Sequence, residues 1–209
     1  MKHKATRDLF RYWDHVRGER ATPERDDIDP AGIRHVLADA FFIQLGADGA
    51  FRVRLSGTRL DALWLTDLTN RDFAALWGED GGALAAALRT AMDGASALVV
   101  GARIAPFGRK PCAAEGVFLP LRDRGKTHSL MLGALTLAEP PSWIGLAPAQ
   151  DLRLASLRIV TPTQNVPPLE TVLPLMRRAE TAPQPPARRR GHLLVYSGGG
   201  QRSHSCPVG

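Results

Sequence analysis

The sequence predicts an α+β fold: a five-stranded antiparallel sheet with helices on one face, a flanking helix before it and a disordered tail after it. Three observations predict it. Residues 41–45 and 51–55 are short strand-like runs separated by Gly46-Ala47-Asp48-Gly49, in which Asp-Gly supplies the positive φ angles of a hairpin. Residues 83–93 place Leu84, Ala87, Leu88, Ala91 and Met92 on one face of a helix. Three further strand-like runs follow, and their connections are too short for crossover helices, so the strands run antiparallel.

The chain begins with an amphipathic helix. Leu9, Trp13 and Val16 fall at helical spacing, Phe10 and Tyr12 widen the stripe, and Gly18 supplies a stop. Residues 19–27 are charged, contain Pro23 and read as a linker. Asp29-Pro30 reads as the start of a short helix, because Asp accepts a backbone N–H at the cap and Pro needs no partner at the first helical position. Ile33, Val36 and Leu37 give that helix an apolar face. In residues 51–55, Phe51, Val53 and Leu55 alternate with Arg52 and Arg54, so one face is buried and the other wet. Gly57 ends the strand, and residues 58–64 and 71–77 read as two short helices. Of the last three strands, residues 97–104 close at Pro106. The next run carries Val117, Leu119 and Leu121 on one face. Residues 129–136 close at Pro140-Pro141.

Past residue 141 the texture changes. One apolar patch remains at residues 152–160, followed by a proline-rich stretch, Arg188-Arg189-Arg190 and Gly198-Gly199-Gly200. That composition buries too little apolar surface to offset chain entropy, so disorder is expected.

Charge follows the same division. Residues 1–150 hold 19 Lys+Arg against 18 Asp+Glu, and residues 151–209 hold 8 against 3. A nucleic-acid reading therefore rests on the tail alone, and a solvated tail is the better account of it, because three screened charges contribute little. Cys112 and Cys206 are the only cysteines, which gives neither a disulfide framework nor a Cys-x-x-Cys pair. No apolar run is long enough to span a membrane and the N-terminal segment lacks the apolar core of a signal peptide, so a cytoplasmic protein is expected.

The order of these elements, with Leu9-Phe10-x-Tyr12-Trp13, Arg17-Gly18, Ile28-Asp29-Pro30, Leu55-x-Gly57-Thr58-x-Leu60, Leu68-Thr69-x-Arg71-x-Phe73 and Trp77, resembles a short stand-alone PAS subfamily of alphaproteobacteria. The resemblance covers residues 7–138 and extends weakly to residues 154–160. Asn70 stands where that pattern has Gly; Asn is the next most tolerant residue for a left-handed backbone. The resemblance divides the chain into a flanking helix and linker (1–27), a PAS-like domain (28–140) and a Pro/Arg-rich tail (141–209). It implies a sensory or regulatory module, with a pocket between the sheet and the central helices that holds a small ligand, a haem, a flavin or nothing.

Trp77, Leu88 and Met92 lie in the helices that roof such a pocket, and Glu115, Val117 and Leu119 are assigned to the strand face beneath them. The competing account for the apolar members is plain core packing. Glu115 either anchors a polar ligand or sits in water at the strand's start. The resemblance implies that the flanking helix packs on the sheet's outer face or on a second subunit; Leu9, Phe10, Trp13 and Val16 form a face suited to either, and are taken as candidates for a homodimer or signalling-partner interface. His15, His35 and His128 are the possible haem or metal ligands in the folded part, and none stands at motif spacing from another ligand-type residue. No cysteine lies in the helical roof, so flavin adduct chemistry is not expected. His192, His204 and Cys206 are too few for a closed metal site. Gly198 to Ser203 lacks the ending of a phosphate loop.

The expected function is therefore a non-enzymatic sensory module without metal or cofactor, acting through ligand or protein binding with output in trans. The alternatives are a small-molecule enzyme on an α+β cone-like fold, for which only Glu115 offers a catalytic group, and a nucleic-acid binder acting through its tail.

Overall fold

Six antiparallel strands form one sheet in the computed structural model, in the order β2-β1-β5-β4-β3-β6. They are β1 (Ala40–Leu45), β2 (Phe51–Ser56), β3 (Ala97–Ala105), β4 (Cys112–Asp123), β5 (Lys126–Leu137) and β6 (Asp151–Val160). The helices are α1 (Lys4–Arg17), α2 (Thr58–Trp64) and α3 (Gly81–Asp93), with tighter 3-10 turns at Arg25–Asp27, Leu37–Asp39 and Ala74–Asp80. The described residues are 1–124, 126–161, and the backbone of Arg188–Arg190 and Leu193–Val195. Among them, no helix is long and apolar enough to cross a membrane.

Local chemistry sets the turns. Gly49 takes φ +79° in the β1–β2 hairpin, and the Gly46 N–H donates to the Ala50 carbonyl at 2.9 Å. Asn70 takes φ +65°, the left-handed conformation expected of it. Gly57 has ordinary dihedrals and is required by space: a Cβ there would stand 2.2 Å from the Leu37 carbonyl oxygen.

The sheet is covered on both faces. The inner face packs Phe41, Ile43, Phe51, Val53, Leu98, Val100, Phe118, Met131 and Leu135 against Leu60, Phe73, Trp77, Leu84, Leu88 and Met92 of the helical segment. The outer face packs Val99, Val117, Leu119, Leu121, Leu130, Leu132 and Ala134 against Leu9 and Trp13 of α1 and against Ile33 and Val36. Tyr12 fastens the second of these elements: its hydroxyl accepts the Asp29 backbone N–H at 2.7 Å, and its ring lies where a Cβ on Gly32 would be.

Four expectations are corrected. The sheet has a sixth strand, because β6 pairs with β3 along nearly its whole length. Residues 141–160 therefore belong to the folded unit, which runs from Met1 to Val166 and includes α1. Residues 30–36 form successive turns and not a helix, with Gly32 held under the Tyr12 ring. Leu9 and Trp13, expected to face a partner, have no exposed surface and are spent on their own sheet, while Phe10 and Val16 are half-buried.

A second unit spans Pro167–Gly209. Within it β7 (Arg188–Arg190) pairs antiparallel with β8 (Leu193–Val195), so the arginine triplet is a strand and not a coil. The disorder expected for the rest of the tail, and the sites weighed at His192, Gly198–Ser203, His204 and Cys206, fall outside the described residues.

Candidate functional site

The space between the inner sheet face and the helices is filled by aromatic rings. Phe41 of β1 stacks on Phe73 with centroids 4.9 Å apart, and Phe118 of β4 meets both edge-on at 5.4 and 5.6 Å. Trp77 extends the group, 6.4 Å from Phe73. Gly133 of β5 makes the arrangement possible. It sits opposite both Phe41 and Phe118, and a Cβ on it would lie 2.3 Å from the Phe41 ring. Leu88 and Met92 of α3 close the roof.

One polar atom interrupts this apolar volume. The Trp77 side chain is 1% exposed, and its Nε1 has no hydrogen-bond partner among the described residues. Ala74–Asp80, which carries Trp77, is broken at Gly78 (φ +52°, ψ −122°), one residue beyond the tryptophan.

Trp77, Leu88 and Met92 share the inner apolar cluster. Val117, Leu119 and Glu115 do not: they project from the opposite face of β4, beneath α1. Phe118, one residue out of phase, is the inner-face member, and Phe41, Phe73 and Gly133 complete a site that sequence reasoning did not assemble. The motif residue Phe73 was the available signal.

Glu115 is neither a pocket anchor nor solvated. It is 5% exposed. It accepts the backbone N–H groups of Lys2 at 2.8 Å and His3 at 3.0 Å, and the Thr6 hydroxyl. α1 has no acidic residue in its first turn and no side-chain cap of its own, so β4 supplies the negative charge that a helix start favours. Burial pushes the Glu115 carboxyl up, but the Thr6 hydroxyl and the two backbone donors outweigh it and hold the group below the usual range.

The other buried carboxylates are also occupied structurally. Asp14 is bound by Arg17 at 2.6 Å, and Asp39 by Arg59. Burial raises the Asp39 carboxyl against the opposing pull of Arg59. Cys112 opens β4 and does not lie between strands; its thiol is half-buried, which raises its pKa, and it contacts the Ile104 carbonyl at 3.2 Å. His15 is exposed on α1, and His35 stands 3.6 Å from Asp8 at the surface. The side chain of His128 is outside the described set. No group of three or more His, Cys, Asp or Glu side chains gathers for a metal among the described residues.

A separate open cleft of about 360 Å³ lies beside the start of α3, lined by residues including Asp48, Phe51, Asp72, Gly78, Gly81 and Arg89. Its charges are engaged internally: Asp48 by Arg52, Asp72 by the Ala74 N–H, and Arg89 by the Gly49 carbonyl, with the guanidinium 5.8 Å over the Phe51 ring.

An antiparallel sheet with short helices packed over its apolar inner face, and a flanking helix on the other, defines an α+β module. A family model described as PAS domain matches residues 1–136, and the chain belongs to that family. Comparison with curated proteins returns no match, and neither does comparison with solved structures. Membership places the chain among sensory and regulatory modules.

Proposed function

We propose that this PAS module acts by reversible binding, without bond-making chemistry, and hands its output to a separate protein. The ligand is a small, uncharged, largely apolar molecule carrying one hydrogen-bond acceptor, which enters the inner chamber and takes the Trp77 indole N–H. The unpartnered Trp77 Nε1 carries this reading. A buried donor left unsatisfied costs about 1–3 kcal/mol, which an acceptor on a ligand would offset.

The character of the chamber supports the rest. Its lining is apolar, and a bare charge there would meet a desolvation penalty with no counter-ion to compensate. The buried carboxylates lie elsewhere and each is tied to a structural partner, so among the described residues no acid–base pair faces the chamber. To admit a ligand, Leu88 and Met92 would shift, and α3 with them. That displacement is the signal read by the partner.

A thermal-shift panel of small cyclic ketones, esters and neutral N-heterocycles tests this. At least one compound is expected to raise the Tm of the native chain and to lose that effect in Trp77→Phe. Equal shifts in both proteins, or protein-dependent conversion of a compound into product, would overturn the reading.

A further inference from the structure

β6 ends the sheet, and its outer edge is defended along only half its length. At the first half the Leu154 N–H donates to the Asp80 carboxylate at 2.8 Å, and Arg153 reaches Glu79 at 2.6 Å. Leu152 is buried in the inner cluster and Leu154 packs against it. A bulge follows, where Gly101 pairs with Ser156 and Ala102 with Leu154, leaving Ala155 as the extra residue. Beyond the bulge the protection stops. Among the described residues no strand lies outside residues 156–160; that stretch carries no proline, and its one charge, Arg158, is exposed.

The same stretch exposes apolar surface continuous with the core. Leu157 and Ile159 pair with Val100 and Leu98 of the inner cluster, so they project on that face, yet they are 38% and 49% exposed. On the opposite face, exposed Arg158 pairs with Val99 of the outer cluster, between Ser156 and the half-buried Val160. The edge is therefore apolar on one side and carries a single exposed positive charge on the other.

We infer that residues 156–160 of β6 are a docking edge for an extended segment of a partner protein, added as a seventh antiparallel strand. The complementary segment places apolar residues against Leu157 and Ile159 and an acidic one between them against Arg158. Backbone pairing supplies the attachment and the alternation supplies selectivity. A second copy of this chain fits less well: self-pairing brings both copies of Arg158 to the seam.

The test uses the full chain and two fluorescein-labelled ten-residue peptides of alternating sequence, Glu-Val and Lys-Val, read by anisotropy and by amide exchange. The acidic peptide should bind at least tenfold more tightly than the basic one and protect outward-facing amides of residues 156–160. Arg158→Glu should weaken it at least tenfold, and the double variant Leu157→Glu/Ile159→Glu should abolish binding with the circular dichroism spectrum unchanged. Equal binding of both peptides, or of neither, overturns the inference. So does self-association of the unliganded chain that the double variant removes, which would make a second copy the occupant. Protection of those outward-facing amides in the unliganded monomer also overturns it, because the chain would then cover its own edge.

Discussion

The Trp13 indole N–H donates to the Pro120 carbonyl at 2.8 Å, across 107 residues of sequence and wholly inside the protein. Pro120 lies where β4 runs past the start of β3, so its missing N–H breaks no pair with that strand, and its carbonyl is completed by the flanking helix. Arg17 lies 5.8 Å over the same indole while binding Asp14, which joins the helix end to the anchor.

Trp13→Ala should accordingly destabilise the fold by about 3–5 kcal/mol through the cavity and the lost bond, seen as a lower urea midpoint. Trp13→Phe should cost less and still leave the Pro120 carbonyl unpaired. An unchanged midpoint in Trp13→Ala would show that the helix contributes nothing to the sheet.

Glu115 gives a pH signature. Its carboxyl is held below the ordinary 4.5 when folded, so it contributes stability above that value and loses the contribution as pH falls through the lowered one. Glu115→Gln should cost about 1–3 kcal/mol at neutral pH, and the gap to the native protein should narrow on acidification below pH 4.5. Denaturation at pH 7 and at successively lower pH checks both signs.

Two glycines separate space from conformation. Gly57→Ala places a methyl 2.2 Å from the Leu37 carbonyl oxygen and should destabilise by more than about 2 kcal/mol. Gly82→Ala, in the first turn of α3 with nothing near its Cβ, should be neutral or stabilise by up to about 1 kcal/mol. Equal effects in thermal melts would contradict the packing described for residues 37–57.

Purified protein should be colourless, because among the described residues no histidine belongs to the inner cluster, and burial raises the pKa of the one thiol packed against it, Cys112. An absorbance spectrum with a haem or flavin band at near-stoichiometric intensity would contradict that chamber chemistry.

Much of the fold was legible in the residues. Gly49, Gly18 and Asn70 announced their backbone conformations, although Asp48 does not share the positive φ expected of the Asp-Gly pair, and the spacing of Leu84, Leu88 and Met92 announced α3. The face of β4 was not legible. Residues 114–121 are buried on both sides, so Val117, Phe118 and Leu119 are all apolar and a period of two carries no phase. That is why Val117, Leu119 and Glu115 were placed in the chamber when Phe118 belongs there. β6 was obscured by its bulge: Leu152 and Leu154 fall out of step with Leu157 and Ile159, and the alternation that marks a strand is broken at Ala155. The partner of Glu115 was invisible for another reason. Its donors lie more than 100 residues away at the start of α1, a pairing that only the tertiary fold creates.

The most direct test of the binding account is the indole region of a nitrogen-15 correlation spectrum, with the Trp77 signal assigned by its loss in Trp77→Phe. The account predicts a ligand-free Trp77 N–H at the position of an unbonded indole, moving downfield when an acceptor-bearing compound of the panel binds, while Trp13 stays at its bonded position. A Trp77 resonance unmoved by every compound that binds the protein would contradict it.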